Sequence, residues 1–140
     1  MRRTSTQKSV ALVVAASAVF GTVTASAAAD RRATKRETSA IKRVALTACP
    51  PPEVSDCTFH RARVSTRDAR FAWAGVSGEG LSGLLLKRPS SHSRRFRIVG
   101  YQGGGIGSCQ YWRTRAPRKV LRDLHVKGLV GSNYEVRTCG

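Results

Sequence analysis

The chain has 140 residues, with 25 lysines and arginines against eight acids, for a formal net charge of +17. A chain of this length has room for one small domain with a marginal core, and excludes two. Such a charge points to an anionic partner: nucleic acid, an acidic wall polymer or a membrane surface. A solvated surface accounts for it equally well, because arginine outnumbers lysine 19 to 6 and alanine is abundant, as in a GC-rich coding sequence.

Residues 1–29 read as a secretory signal peptide. Arg2, Arg3 and Lys8 form a charged start, Val10 to Val23 an apolar run, and Ala25-Ser26-Ala27 or Ala27-Ala28-Ala29 a small-residue cleavage site. The apolar run is about 14 residues, diluted by Ser17 and Gly21, and a membrane span needs roughly 20. No transmembrane segment is therefore expected in the mature chain. No cysteine lies near the cleavage site, which argues against a lipid anchor. Thr4, Ser5 and Thr6 follow Arg2-Arg3 where the twin-arginine route would want apolar residues, so ordinary export is expected. Cleavage removes three basic residues and no acid, leaving about +14 on residues 30–140. The expected location is extracellular, free or held at the cell wall.

All four cysteines lie beyond the leader: Cys49, Cys57, Cys109 and Cys139. An even count in a small exported chain reads as two disulfides, with three pairings open. Cys49–Cys57 with Cys109–Cys139 is favoured, because each then closes a local loop and leaves the sheet untangled. The longer loop would stabilise the fold by roughly 3–4 kcal/mol. Zinc would need close C-x-x-C pairs or a Cys/His cluster, and neither is present. No metal and no cofactor are expected.

Residues 30–37 are polar, charged and without periodicity, and read as a flexible basic linker ahead of a single domain over 38–140. A helix is expected over Thr38 to Ala48, where Ile41, Val44, Ala45 and Ala48 make one apolar stripe. Thr38 or Ser39 would cap it, and Pro50-Pro51-Pro52 would end it. Four strands follow: 58–65, 70–76, 81–87 and 95–101, with turns at 65–68, 77–80 and 89–93. In the first, His60, Ala62 and Val64 share one face, with Phe59, Arg61 and Arg63 on the other. In the second, Phe71 and Trp73 stand opposite Ala72, Ala74 and Val76, which suggests a helix resting on the smoother side. Gln102 to Ser108 reads as a flexible glycine loop, Ala116 to His125 as a helix opened by Pro117 and stopped by Gly128, and Leu129 to Cys139 as an irregular tail or short strand. The expected fold class is α+β: a short N-terminal helix, a four-stranded antiparallel meander, a C-terminal helix packed on the sheet, and two disulfides.

Chemistry is harder to find. Gly103-Gly104-Gly105-Ile106-Gly107 could offer bare amides to a phosphate, but it has neither the G-x-x-x-x-G-K-[ST] spacing nor a G-x-G-x-x-G opening directly onto a helix. His60, His92 and His125 are available for acid–base work, yet the acids (Glu53, Asp56, Asp68 and Asp123 among them) show no paired spacing. His125 has a sufficient structural role at a helix C-terminus. There is no G-x-S-x-G, so no catalytic residue is assigned. The partner-facing set is arginine-rich: Arg61, Arg63, Arg67 and Arg70 on one hairpin, and Arg113, Arg115, Arg118, Lys119 and Arg122 around the last helix. Arg94, Arg95 and Arg97 stand on another strand. Exposed Phe71, Trp73 or Trp112 among them would suit single-stranded nucleic acid; buried, they would be core. The loop between Cys49 and Cys57 loosely suggests a disulfide-braced protease inhibitor, but its spacing and flanking residues do not match.

Several pieces resemble a group of small, uncharacterised secreted proteins of high-GC Gram-positive bacteria. They are Val64-Ser65-Thr66-Arg67-Asp68-Ala69-Arg70-Phe71-Ala72-Trp73-Ala74, Leu84-Leu85-Leu86-Lys87-Arg88, Arg95-Phe96-Arg97-Ile98-Val99, and Cys109 leading into Ala116 to Leu124. The likeness covers roughly residues 57–125. This chain departs from the group at Ala69, where proline is usual, and at Arg94-Arg95-Phe96, where Gly-Arg-Trp is usual. The resemblance implies a compact exported α+β domain with a disulfide from Cys109 to the C-terminus, and no activity. The functional expectation is a non-catalytic secreted basic protein that associates with anionic envelope or extracellular polymers. The alternatives are a small secreted nuclease using His60 or His125 with a nearby carboxylate, and a structural domain with no ligand.

Overall fold

A computed structural model describes residues 30–49, 57–78 and 80–140. Residues 1–29, where a signal peptide is expected, lie outside the described residues, as do the triple proline, Glu53 and Asp56.

Helix α1 runs from Lys35–Ala45 and tightens into a 3-10 turn over Leu46–Ala48. It starts ahead of the expected Thr38 because Thr34 and Glu37 form a capping box. The Thr34 hydroxyl accepts from the Glu37 amide at 3.2 Å, and the Glu37 carboxylate accepts from the Thr34 amide at 3.0 Å. Two orphan amides are thereby satisfied. Thr38 and Ser39 sit inside the helix, with their hydroxyls on the Ala33 and Lys35 carbonyls. The apolar stripe holds: Ile41 and Ala45 are fully buried.

The sheet has five strands, one more than expected, in the order β1 Arg31–Arg32, β2 Thr58–Val64, β3 Phe71–Gly78, β4 Leu81–Lys87, β5 Arg97–Gly103. Every neighbour is antiparallel. The four long strands are the expected meander. The fifth comes from the segment read as a linker: Arg31 and Arg32 pair with Val64 and Arg63, and the Ala33 amide donates to the Ala62 carbonyl. A two-residue strand is too short to show a period, so only its tertiary partners reveal it. In β2 a register shift between Phe59 and Arg61 breaks the alternation. Phe59 therefore packs with Ala62 and Val64 on one side, not with Arg61 and Arg63.

The two faces of the sheet carry two cores. Ala72, Ala74, Val76, Leu84, Leu86 and Phe96 meet Ile41 and Ala45 of α1. On the other face, Phe71, Trp73 and Leu85 meet Trp112, Val120, Leu121 and Leu124. The smooth face thus carries α1, while the aromatic face carries the C-terminal helices. Tryptophan fits there because glycine lies under each indole ring. A Cβ on Gly83 would run into the Trp73 ring, and one on Gly100 would come within 2.6 Å of Trp112 Cζ3. The two indoles meet edge to face at 5.6 Å.

The C-terminal region is more broken than one long helix. After the glycine loop, α2 spans Cys109–Arg113, with the Ser108 hydroxyl accepting from the Tyr111 amide. Helix α3 spans only Arg118–Asp123, with Pro117 at its N-cap. The chain leaves the helix through His125, whose φ is +52°, rather than stopping at Gly128. The tail is a hairpin, β6 Lys127–Val130 with β7 Glu135–Thr138. Gly128 belongs to it for a steric reason: a Cβ there would lie 2.5 Å from Cys139 Sγ. Both disulfides are the local ones favoured from sequence, Cys49–Cys57 and Cys109–Cys139.

Candidate anion-binding surfaces

The fold divides the arginines into those that hold the structure and those that face outward. Arg88, 3% exposed, donates to the Ala69 and Ser93 carbonyls and to Glu37, and covers the Phe96 ring. Arg63 pairs with the Asp30 carboxylate at 2.6 Å and donates to the Leu124 carbonyl at 2.8 Å. Arg70 makes a forked contact with Asp68. Arg115 lies 3.5 Å from the Tyr111 ring centroid and donates to the Tyr111 carbonyl. Of the nine candidates from sequence, Arg63, Arg70 and Arg115 are therefore already engaged, and Arg113 donates to the Cys139 carbonyl at 3.4 Å. Arg61 and Arg67 remain exposed on and beyond β2, and Arg113, Arg118, Lys119 and Arg122 on the α2–α3 side.

Two open depressions of about 530 Å³ each gather basic residues. The first lies between α1 and the segment leading into β5. Arg36, Ser39, Ala40, Arg43 and Val44 come from one helix face, and Arg94, Arg95 and Phe96 form the facing wall. Among the described residues, none of these four arginines takes part in an ion pair. A neighbouring hollow shares Arg95 and Phe96 and adds Lys87 and Arg97. The cations thus continue as a band along the rim of the sheet. Sequence reading noted Arg94 and Arg95 but missed Arg36 and Arg43, although their seven-residue spacing puts them on one helix face.

The second depression lies beside β1 and β2. Arg32, Arg61, Arg63, His60 and His125 line it together with Asp30. His60 shares a 2.7 Å hydrogen bond with the Ser77 hydroxyl. His92 stands in the β4–β5 turn and lines neither depression. The one carboxylate in the cleft, on Asp30, is held by Arg63.

Other sequence candidates find structural uses. Phe71, Trp73 and Trp112 are buried, so they offer no stacking platform for nucleic acid. Among the described residues, the exposed large aromatics are Tyr101 on β5 and Tyr134 in the terminal hairpin. The glycine loop is tied to β6 through the Gly107 carbonyl, which accepts from the Leu129 amide. Among the described residues no three His, Cys, Asp or Glu side chains gather as a metal site, and no helix is long and apolar enough to cross a membrane.

Asp123 is the most tightly held acid. Its carboxylate accepts from the Ser65 and Thr66 hydroxyls, the Thr66 and Arg67 amides and the Asp30 amide. Burial pushes its pKa up, but the hydrogen bonds from Ser65, Asp30 and Thr66 outweigh it and hold the group at about 2. Glu37 is also at about 2, chiefly through its hydrogen bond from Arg31, with burial opposing and the Thr34 amide and Arg88 assisting.

No protein-family model, no curated protein and no solved structure matches this chain. The likeness to the secreted high-GC group therefore rests on its sequence pieces alone.

Proposed function

We propose that this chain is an exported, non-catalytic basic domain that associates with anionic envelope or extracellular polymers through backbone charge. The observation that carries the reading is the α1 groove, where Arg36, Arg43, Arg94 and Arg95 converge with no acid to neutralise them among the described residues. Its continuation through Arg97 and Lys87 suits an extended polymer better than a compact ligand. The test uses the protein recovered after export of the full chain, mixed with RNA, duplex DNA and teichoic acid over a range of salt concentrations. Binding of intact polymer with a steep log-salt slope supports the reading, and the preferred polymer names the partner class. No binding at low salt leaves a structural domain with solvated arginines.

A second reading, a small secreted nuclease, draws support from the cleft, where His60 and His125 arrive from different elements beside Arg32 and Arg61. Two imidazoles near cations are the groups needed to move a proton on and off a ribose hydroxyl while charge develops on phosphate. Shortened RNA in the same samples, lost in His60→Ala or His125→Ala, would promote it over the binding reading.

A further inference from the structure

Asp123 poses a question that its hydrogen bonds do not answer. It is a buried carboxylate in a strongly basic protein, yet among the described residues no lysine or arginine pairs with it. Buried carboxylates are ordinarily matched by a cation. The candidate cation is the backbone nitrogen of Asp30, 2.9 Å from Asp123 Oδ1. In the uncut chain that nitrogen is a neutral amide with one hydrogen. As a chain terminus it would be an ammonium with three.

The backbone at Asp30 points the same way. Its φ is +35°, on the edge of the left-handed region, which an aspartate enters more readily than most side chains but still at a cost. A first residue has no preceding carbonyl, so the constraint vanishes when the preceding bond is cut. The sequence supplies the cut: Ala27-Ala28-Ala29 is a small-residue motif ending directly before Asp30. The competing motif, Ala25-Ser26-Ala27, would leave Ala28 and Ala29 ahead of Asp30.

We infer that the chain is processed between Ala29 and Asp30, and that the new α-ammonium docks on the Asp123 carboxylate as a maturation lock. A signal-peptide-cleaving protease adds water across the peptide bond. The acyl carbon of Ala29 takes the hydroxyl and leaves as a carboxylate, and the Asp30 nitrogen gains protons to become the ammonium. The lock joins three elements. Asp123 closes α3, the Asp30 carboxylate holds Arg63 of β2, and Arg63 reaches on to the Leu124 carbonyl. Release of the leader and docking of β1 on the sheet edge thus become one event.

The inference sets a pH dependence. The ammonium faces Asp123 directly. Arg63 nearby is already shared with the Asp30 carboxylate, Arg32, Arg61, His60 and His125 line the adjoining cleft, and Arg67 contributes its amide to the same carboxylate. An α-amino group in an unfolded chain titrates at about 7.7–8.0, and an adjacent carboxylate raises that value. Its stabilisation is therefore complete between about pH 4 and pH 7.5, lost as pH rises through the raised folded value, and lost on the acid side as Asp123 is protonated.

The test exports the full chain and reads the N-terminal residue and intact mass of the product. Asp30 is expected first; Ala28, or any other start, overturns the inference. It rests on the export reading. A chain that is never exported or cut would sink both, whereas a cut after Ala27 would sink the inference alone. Full chains carrying Ala29→Leu or Ala25→Leu then steer cleavage to one motif or the other. At pH 6.5 the Asp30-terminated product should show about a tenfold higher folded-to-unfolded ratio in urea than the Ala28-terminated one. That gap should close at pH 10.5, and in an Asp123→Asn background. Equal midpoints of the two products at both pH values would overturn the lock without requiring the Asp123 variant to fold.

Discussion

The two depressions are alike in size, with four arginines lining one and three the other, but differ in what the arginines are doing. In the α1 groove, Arg36, Arg43, Arg94 and Arg95 pair with no acid among the described residues, and they stand on a helix and a chain segment held by the core beneath them. In the β1–β2 cleft, Arg63 is bound to Asp30 and to a carbonyl, and part of the charge holds the wall together. A count of arginines therefore overstates the capacity to bind a polyanion. Charge left over after the fold has used its share is the better guide, and by that measure the α1 groove leads.

The sharpest way to break the comparison is to remove the acid behind the cleft. Asp123→Ala should cost about 3 kcal/mol in urea unfolding, because several buried donors lose their acceptor together. The α1 groove should keep its polymer affinity wherever the variant is folded. The same group predicts the acid limb. Its folded pKa of about 2 lies below the unfolded value of about 3.9, so its contribution is full above pH 4 and disappears as pH falls toward 2. About 2 kcal/mol should be lost over that window, with Glu37 adding to the fall, as read by urea midpoints from pH 7 to 2.

Gly100→Ala serves as a control that damages neither depression. Its Cβ would crowd Trp112 and should cost about 1–3 kcal/mol in thermal or urea unfolding, with polymer binding unchanged below the transition. The pair Arg36→Ala with Arg43→Ala should do the reverse. Stability should move by less than about 0.5 kcal/mol, while polymer affinity falls and the log-salt slope shrinks by about 2. Arg61→Ala in the cleft should lower the slope by about 1 or less. A larger loss from Arg61→Ala than from the α1 pair would reverse the ranking of the two sites. The smallest effect expected is that of His60→Ala on binding, which should be undetectable.

The comparison also marks how far each site could be read in advance. Arg36 and Arg43 share a helix face by their spacing alone, but they become a groove only when α1 crosses the sheet and meets Arg94 and Arg95. The cleft hides more deeply. His60 and His125 are brought together by a bulge in β2 and a left-handed residue after α3, and neither leaves a periodic trace. Arg63 looked like a surface cation because strict alternation puts it opposite Ala62, and its acid partner lay in the segment read as a linker.

By itself, the sequence determined the features that depend on local repetition. The stripe of α1, the small and aromatic faces of β3 and the antiparallel meander follow from period and propensity, while loop length favoured the local cysteine pairing among three and the folded chain selected it. The tertiary structure decided the rest. It ordered residues 30–37 into a strand and a capped helix start, set the two cores on opposite faces, shortened the last helix to α3 and added α2 ahead of it, and determined which arginines were consumed. The physical reason is the same in each case. A two-residue strand, a bulge or an ion pair gains its free energy from a partner far along the chain, and a local window does not contain that partner.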